Sequence, residues 1–191
     1  SAGPSADATV SLSVAASIPS ISFASATGTA GNVAGAMSVS PTAIAANGAA
    51  ITACAIKGGT TALPAALTIN ASTCEISGTP TATLSATTYT LIATNSVGNS
   101  ADATVSLTVA ASAPVLDFTG ATGTSGSVNT AMSVTPPTVT ANGASVTACA
   151  IKGGTTALPG TLSINATTCV ISGTPTAVLS ATTYTLIATN A

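Results

Sequence analysis

The four cysteines are the residues of this 191-residue chain best suited to covalent chemistry. They form two pairs of equal spacing, Cys54 with Cys74 and Cys149 with Cys169. A zinc site built from all four would need pairs of the CxxC kind, which are absent. The chain also has no His or Arg that could activate a thiolate. We therefore predict one disulfide within each pair. Each would close a loop worth about 3 kcal/mol in the chain-entropy model and would place the protein in an oxidising compartment.

Lys57 and Lys152 are the only basic side chains. One interpretation is an isopeptide cross-link to an Asn or Asp, which requires a buried lysine and a helping acid. Asp7 and Asp102 occupy equivalent positions in the two halves of the chain, but Glu75 has no acidic counterpart in the second half. The other interpretation is a solvated turn lysine before Gly-Gly, and the sequence favours this one.

The composition excludes several classes of function. Charged residues make up 3% of the chain, against about 25% in an ordinary domain, so groups for general acid–base catalysis are scarce. Two lysines cannot neutralise a nucleic-acid backbone, and four scattered carboxylates do not form a calcium array. Aromatic residues are also too few for stacking platforms. We expect a protein that is not an enzyme and that uses no cofactor, metal or nucleic acid.

An internal repeat organises the chain. Residues 53–64 recur unchanged as 148–159, and the offset of 95 holds from Ser17 onward. The segment 5–12 recurs at the same offset as 100–107, where it forms the end of the first repeat. The second repeat has no such segment after it within these residues. We therefore divide the chain into an orphan last strand (1–16), a complete first repeat (17–111) and a second repeat lacking its last strand (112–191).

The pattern of apolar residues indicates β-structure. Val105, Leu107 and Val109 alternate with polar residues, as in a half-buried strand, and no window has a convincing helical stripe. Turn signals such as Asn47-Gly48 separate the strands. Further strands are predicted at Met37–Val39, Ile51–Ile56, Leu67–Ile69, Cys74–Ser77 and Tyr89–Ala93. The sequence predicts an all-β protein with two tandem sandwiches of about seven strands each, the size of an immunoglobulin domain.

One recurring motif resembles a known family. Ile76-Ser77-Gly78-Thr79-Pro80-Thr81 follows Leu63-Pro64 and precedes Ala93-Thr94-Asn95, and all three recur in the second repeat. This pattern resembles the immunoglobulin-like, cadherin-like β-sandwich repeats of secreted bacterial surface proteins. The resemblance implies extracellular stalks, adhesins or spacers without a family-wide catalytic residue. The chain departs from the family in its cysteines and in its few carboxylates, which argues against calcium binding.

A sandwich without its last strand has an open groove that can accept a strand from elsewhere. We predict a donor strand formed by Thr9, Val10, Leu12 and Val14. These residues match the internal equivalents Thr104, Val105, Leu107 and Val109. Entry of this strand into the next molecule would build a head-to-tail, pilus-like filament by donor-strand complementation. The alternative is that the residues are two periods of a long covalent stalk or adhesin. Both hypotheses predict the same local fold.

Two sequons and the chain's start complete the expectations. Asn70-Ala71-Ser72 and Asn165-Ala166-Thr167 are N-glycosylation acceptors by sequence, although such triplets arise by chance in a Ser/Thr-rich chain. The chain begins without Met or a signal peptide, so we expect a removed leader or an excerpt. We expect an extracellular or cell-surface location, with copies of itself as partners and glycans or host and cell surfaces as further ones.

Overall fold

The computed structural model describes residues 9–58, 61–153 and 157–191. All regular elements in these ranges are β-strands. Among the residues described, there is no helix long and apolar enough to cross a membrane. The strands build two sandwich-like domains in series, which confirms the predicted fold class.

The first domain has two larger sheets and a two-stranded edge. The four-stranded sheet has the order β2 (Ala30–Asn32), β9 (Ala103–Ala110), β8 (Leu84–Thr94) and β5 (Ala53–Ile56). The three-stranded sheet has the order β3 (Met37–Val39), β7 (Ile76–Gly78) and β6 (Leu67–Ile69). The edge pairs β1 (Ser20–Ser22) with β4 (Ala43–Ala45). Among the described strand pairs of this domain, only β2 with β9 is parallel.

The core lies between the two larger sheets. Tyr89 and Leu91 contribute from the four-stranded sheet, and Val39 and Ile76 contribute from the three-stranded sheet, all with 2% exposure or less. Burial of each such side chain stabilises the fold by about 1.5–3 kcal/mol. Polar residues occupy the alternate positions because successive strand residues point to opposite faces. The apolar core of this domain is therefore built mainly from the few large side chains in an alanine-rich sequence.

The surroundings of Gly78 explain why the Ile-Ser-Gly-Thr-Pro motif has glycine at this position. Gly78 ends the central strand β7, where it lies opposite both Met37 and Leu67. Its φ is +145°, and a Cβ there would overlap the carbonyl oxygen of Ala66. Gly173 repeats this arrangement in the second domain with a φ of +147°. A side chain at either position would force the neighbouring strand away.

The second domain has seven strands among its described residues. They form three small sheets: β10 (Val115–Asp117) with β12 (Thr138–Thr140), β11 (Met132–Val134) with β15 (Ile171–Gly173) and β14 (Leu162–Ile164), and β13 (Val146–Ile151) with β16 (Leu186–Asn190). Each strand corresponds to one in the first domain. In the described part of this domain, β2, β9 and the first half of β8 have no counterpart strands.

Some strand boundaries differ from the sequence-based predictions. Met37–Val39 and Leu67–Ile69 are confirmed. The strand predicted at Cys74–Ser77 instead begins at Ile76, because Cys74 has a φ of 56°, outside the β region. The described residues of the first domain form nine strands rather than about seven, because β1, β2 and β4 have only three residues each, too few to show a period-two pattern.

Candidate functional site

Strand β9 holds the first domain together from the middle of its largest sheet. It runs antiparallel to β8, with Val105 opposite Tyr89, and its end runs parallel to β2, with Val109 opposite Gly31. Val105, Leu107 and Val109 point inward and are 4%, 0% and 2% exposed. Thus β9 both fills the core and satisfies the backbone groups of two neighbouring strands.

The second domain has a groove at the position of β9. We call this the open groove; its walls are residues 124–128, equivalent to the region around β2, and residues 179–186, equivalent to the first part of β8. Residues 125–127 and 179–185 form no strand. Two adjoining cavities of about 570 and 430 Å³ occupy the groove, and both are lined by Met132, Leu162 and Leu179. The groove is therefore mostly apolar, and no strand among the described residues of this domain pairs with its walls.

Equivalent side chains differ in exposure between the two domains. Tyr89 is 2% exposed beside β9, whereas Tyr184 is only partly buried in the wall of the open groove. Likewise Leu84 is partly buried, whereas its counterpart Leu179 is 49% exposed. The sequence around these positions is the same, so the difference follows from the strand that is present in one domain only.

The N-terminal segment, defined here as Thr9–Val14, contains the predicted donor residues. It forms no strand and lies exposed. Val10, Leu12 and Val14 are 80%, 85% and 99% exposed. The remainder of the predicted orphan strand, residues 1–8, lies outside the described residues. The second domain thus has an open groove, and the exposed N-terminal segment has the sequence of the strand that fills the equivalent groove in the first domain. The structure does not place the segment in the groove.

Both predicted disulfides are confirmed. Cys54 is bonded to Cys74, and Cys149 to Cys169, with Cα atoms 5.3 Å apart in each pair, well within the normal range. Cys54 lies on β5 of the four-stranded sheet, and Cys74 lies just before β7 of the three-stranded sheet. Each bridge therefore ties the two layers of its sandwich together, which compensates for a core with few large side chains.

Lys57 forms an ion pair with Asp102. Its Nζ atom lies 2.7 Å from both carboxylate oxygens, and the two side chains are 54% and 49% exposed. An isopeptide bond would need a lysine desolvated in an apolar pocket with a helping acid. The cross-link at Lys57 and Lys152 thus remains an untested prediction, to which this exposed geometry lends no support.

The two sequon asparagines lie on exposed turns. Asn70 Oδ1 accepts hydrogen bonds from the backbone N–H groups of Ser72 and Thr73, at 2.9 and 3.0 Å. Asn165 makes the same turn with Thr167 and Thr168. These turns lead directly into the disulfide cysteines, which gives both asparagines a structural role. Glycosylation of Asn70 and Asn165 stays a prediction.

Sequence reasoning missed the role of two side-chain amides, one buried (Asn95) and one partly buried (Asn190). Asn95 is 4% exposed, and its Nδ2 donates to the carbonyl oxygens of Ser17 and Ala46, at 2.8 and 3.0 Å. Asn190 donates in the same way to those of Ser112 and Ala141. Each amide thereby fastens the segment entering its domain to a neighbouring turn. The recurring Ala-Thr-Asn motif is the signal that could have indicated this role.

The titratable groups are not clustered. Within the described ranges, no three His, Cys, Asp or Glu side chains lie close enough to hold a metal ion. The backbone N–H of Thr119 donates to Asp117 Oδ1 at 2.7 Å and lowers the pKa of that exposed carboxyl group. This is a local turn interaction, and it prepares no group for proton transfer.

Together, the sandwiches and their tandem order define an immunoglobulin-like domain protein. The family described as "Putative Ig domain" matches residues 19–110 and 116–191, most of the chain. The chain belongs to this family, as its motifs indicated. No curated protein matches it.

Several solved structures are similar to the chain at low sequence identity. Murine CEACAM1b is 17% identical, with a TM-score of 0.33, and the match covers 82% of this chain and 84% of that one. A chimeric titin Z1Z2 is 19% identical, with a TM-score of 0.33, over 93% and 92% of the two chains. The N-terminal eight Ig domains of Down Syndrome Cell Adhesion Molecule are 13% identical, with a TM-score of 0.38; the match covers 92% of this chain but 24% of that one.

Tandem immunoglobulin-like domains are typical of surface and adhesion-type proteins. The two disulfides require an oxidising environment to form and persist. These features point to an extracellular or cell-surface protein. The open groove is the feature of the molecule best suited to binding.

Proposed function

We propose that the protein is a structural subunit of an extracellular filament, in which the N-terminal segment of one copy completes the second domain of the next copy. The observation that carries this proposal is the open groove, whose counterpart in the first domain is filled by β9. The N-terminal segment has the sequence of β9 at its inward positions: Val10, Leu12 and Val14 correspond to Val105, Leu107 and Val109.

The register of this complex follows from the first domain. There, Val105 lies opposite Tyr89, Leu107 opposite Thr87, and Val109 opposite both Leu84 and Gly31. At the offset of the repeat, Val10 comes to lie opposite Tyr184, Leu12 opposite Thr182, and Val14 between Leu179 and Gly126. The three side chains enter the apolar part of the groove.

Both partners gain from this exchange. The three side chains that would enter the groove are almost fully exposed in the separate chain, so their burial is strongly favourable. The backbone groups of residues 125–127 and 179–185 gain ladder hydrogen bonds, as in other cases of strand addition to an open sheet. Because the donor and acceptor lie on different parts of the chain, the contact is head-to-tail, and it generates a filament as long as the rotation between copies does not close a ring.

A covalent stalk is the second candidate function. The first domain supports it, because there the strand that fills the groove comes from the same polypeptide. In a stalk, the groove of the second domain receives a strand from residues that follow in a longer chain. The two candidates share the groove and differ in whether a peptide bond joins the strand to the domain.

Two substitutions on adjacent residues test the filament. Leu12→Asp places a charge on the inward face of the donor strand, whereas Ser11→Asp places the same charge on the outward face, since the equivalent Ser106 is exposed. Neither residue is buried in the separate chain, so both variants should fold normally. Assembly is measured by light scattering and negative-stain electron microscopy. We expect filaments from the wild type and from Ser11→Asp, and monomers from Leu12→Asp.

Two outcomes would contradict the filament. Assembly of Leu12→Asp at the wild-type concentration would show that the segment is not the donor. A wild type that stays monomeric at millimolar concentration would exclude a second copy as the occupant. In that second case, binding of a synthetic peptide of residues 5–16 to the Leu12→Asp protein would support the covalent stalk, because the groove would then accept the strand without forming a polymer.

A further inference from the structure

The junction between the two domains is closely packed at a glycine turn. Gly143 has a φ of +94°, and a Cβ there would lie 2.8 Å from Val33 Cγ2 and 2.9 Å from Thr83 Cγ2. The turn formed by Asn142 and Gly143 at the start of the second domain therefore rests on the end of the first domain. A side chain at Gly143 would separate the two surfaces.

The linker between the domains is held at the same place. The backbone N–H of Ser112 donates to the carbonyl oxygen of Asn142 at 3.0 Å. Its hydroxyl donates to the carbonyl oxygen of Val33 at 2.7 Å. Ser112 thus joins the glycine turn of the second domain to the end of the first, three residues after Val109 leaves the core.

The glycine turn that forms one side of this junction recurs at the start of the first domain. Asn47 and Gly48 form the equivalent turn, with φ values of 53° and 88°. The backbone N–H of Ser17 donates to the carbonyl oxygen of Asn47 at 3.0 Å, as Ser112 does to Asn142. Ser17 follows Val14 by three residues, so the tether between strand and turn has the same length as in the internal junction.

The surface on which the glycine turn packs recurs at the end of the second domain. Val128 and Val178 are the counterparts of Val33 and Thr83. Val33 is 5% exposed, whereas Val128 is 39% exposed. Thr83 remains exposed within the internal junction, and Val178 is 87% exposed. Val178 is among the most exposed large apolar side chains of the described residues. Contact with a second surface would account for an apolar side chain at position 178.

We propose that strand entry brings the Asn47–Gly48 turn of the donor copy onto Val128 and Val178 of the acceptor copy, which reproduces the internal domain junction between copies. This inference rests on the proposed function and extends it. A strand held in register by Val10, Leu12 and Val14 leaves the groove at a fixed point. A tether of equal length then delivers the turn to the equivalent surface. The occupant is a second copy of this chain, because its turn, its glycine and its Ser17 match the internal junction.

Variants of Val178 separate this junction from strand binding. Val178→Asp places a charge where the turn would lie, whereas Val178→Thr introduces the residue that the internal junction uses. Ser163→Asp, on the exposed side of β14, controls for added charge. Two quantities are measured for each variant: the affinity for the synthetic peptide of residues 5–16, which reports on the groove alone, and the critical concentration for filament assembly.

Val178 also lines the larger cavity of the open groove. We therefore expect Val178→Asp to weaken peptide binding by about threefold at most and to raise the critical concentration about tenfold or more, a further loss of the order of one modest apolar contact. Val178→Thr and Ser163→Asp should assemble as the wild type. If Val178→Asp assembles at the wild-type concentration, the junction is wrong although strand exchange stands. If peptide binding falls by the same factor as assembly, Val178 acts only as part of the groove wall, and the junction is again wrong. Assembly of Leu12→Asp, by contrast, would contradict the strand exchange itself.

Discussion

At the scale of single residues, Tyr89 is the largest side chain that the first domain buries completely. Its hydroxyl group lies 3.5 Å from the carbonyl oxygen of Ala62, a long contact. Burial disfavours the charged phenolate and raises the pKa of Tyr89. The folded state therefore binds this proton more tightly than the unfolded state does.

The sign of this linkage predicts loss of stability at alkaline pH. The contribution of Tyr89 is complete below the pKa of an unfolded tyrosine, near 10. It is lost as the pH rises through the higher pKa of the folded state. We expect the free energy of unfolding to fall as the pH rises above about 10, and to fall less in Tyr89→Phe. Urea unfolding at a series of pH values checks this, and equal slopes in the two proteins would contradict it.

At the scale of the secondary-structure elements, the length of one strand depends on its neighbour. β8 has 11 residues, whereas its counterpart β16 has 5, although the sequences are nearly the same. The extra residues of β8 lie opposite β9. The second half of the strand needs only β5 or β13 as a partner, and it forms in both domains.

This dependence predicts that a bound donor strand extends β16 toward Leu179. The chain has two tyrosines and no Trp, so in a Tyr89→Phe, Leu12→Asp protein the tyrosine fluorescence comes from Tyr184 alone. Adding the peptide of residues 5–16 should cover Tyr184 and reduce its quenching by acrylamide at least twofold, since the equivalent Tyr89 is 2% exposed. A peptide carrying Leu12→Asp is the control. Unchanged quenching with the wild-type peptide would contradict the predicted register.

The predictable strands were those with alternating large residues. β9 and the second half of β8 follow from period-two patterns, and the disulfides follow from the equal cysteine spacing. The pattern could not indicate β1, β2 or β4, because a three-residue strand holds at most one large apolar residue and alternation needs a run of four or more. It also could not indicate the turn at Cys74, where a non-glycine residue adopts a positive φ. The buried amide of Asn95 escaped because its three carbonyl acceptors are distant in sequence.

The groove itself was accessible to sequence reasoning because the two repeats are so alike. A structural difference between the two repeats has to come from a local difference in sequence. The second repeat has no counterpart of residues 100–107 after it within these residues, and this identified the position of the groove. The surface at Val178 was not accessible in the same way. Its role depends on a contact of Gly143 with Val33 and Thr83, which only the arrangement of the two domains reveals.

At the scale of the whole molecule, very few charges are available to orient one copy against another. The net charge is −2 and charged residues make up 3% of the chain. Lys57 and Asp102 join the end of β5 to the start of β9. Their counterparts are Lys152, at the end of β13, and Asp7, which precedes the N-terminal segment and lies outside the described residues.

Strand exchange therefore predicts an ion pair between copies, from Lys152 of the acceptor to Asp7 of the donor. Lys152→Asp should weaken peptide binding about two- to fivefold, as expected for an exposed pair, and the effect should shrink in 1 M salt. A peptide carrying Asp7→Lys should restore the affinity for the Lys152→Asp protein. Isothermal titration calorimetry measures all four combinations, and additive effects of the two changes would contradict a direct contact.

The disulfides have a mechanical consequence for such a fibre. When a domain is stretched until it unravels, the chain between Cys54 and Cys74 cannot extend, because the bridge across the 20-residue separation carries the load. At roughly 3.5 Å per extended residue, each bridge removes about 70 Å from the length that its domain can release. A thread under shear would therefore yield in steps about 70 Å shorter per domain than a thread without the bridges. The bridged residues would keep parts of both sheets together, from which the sandwich can re-form once the tension falls.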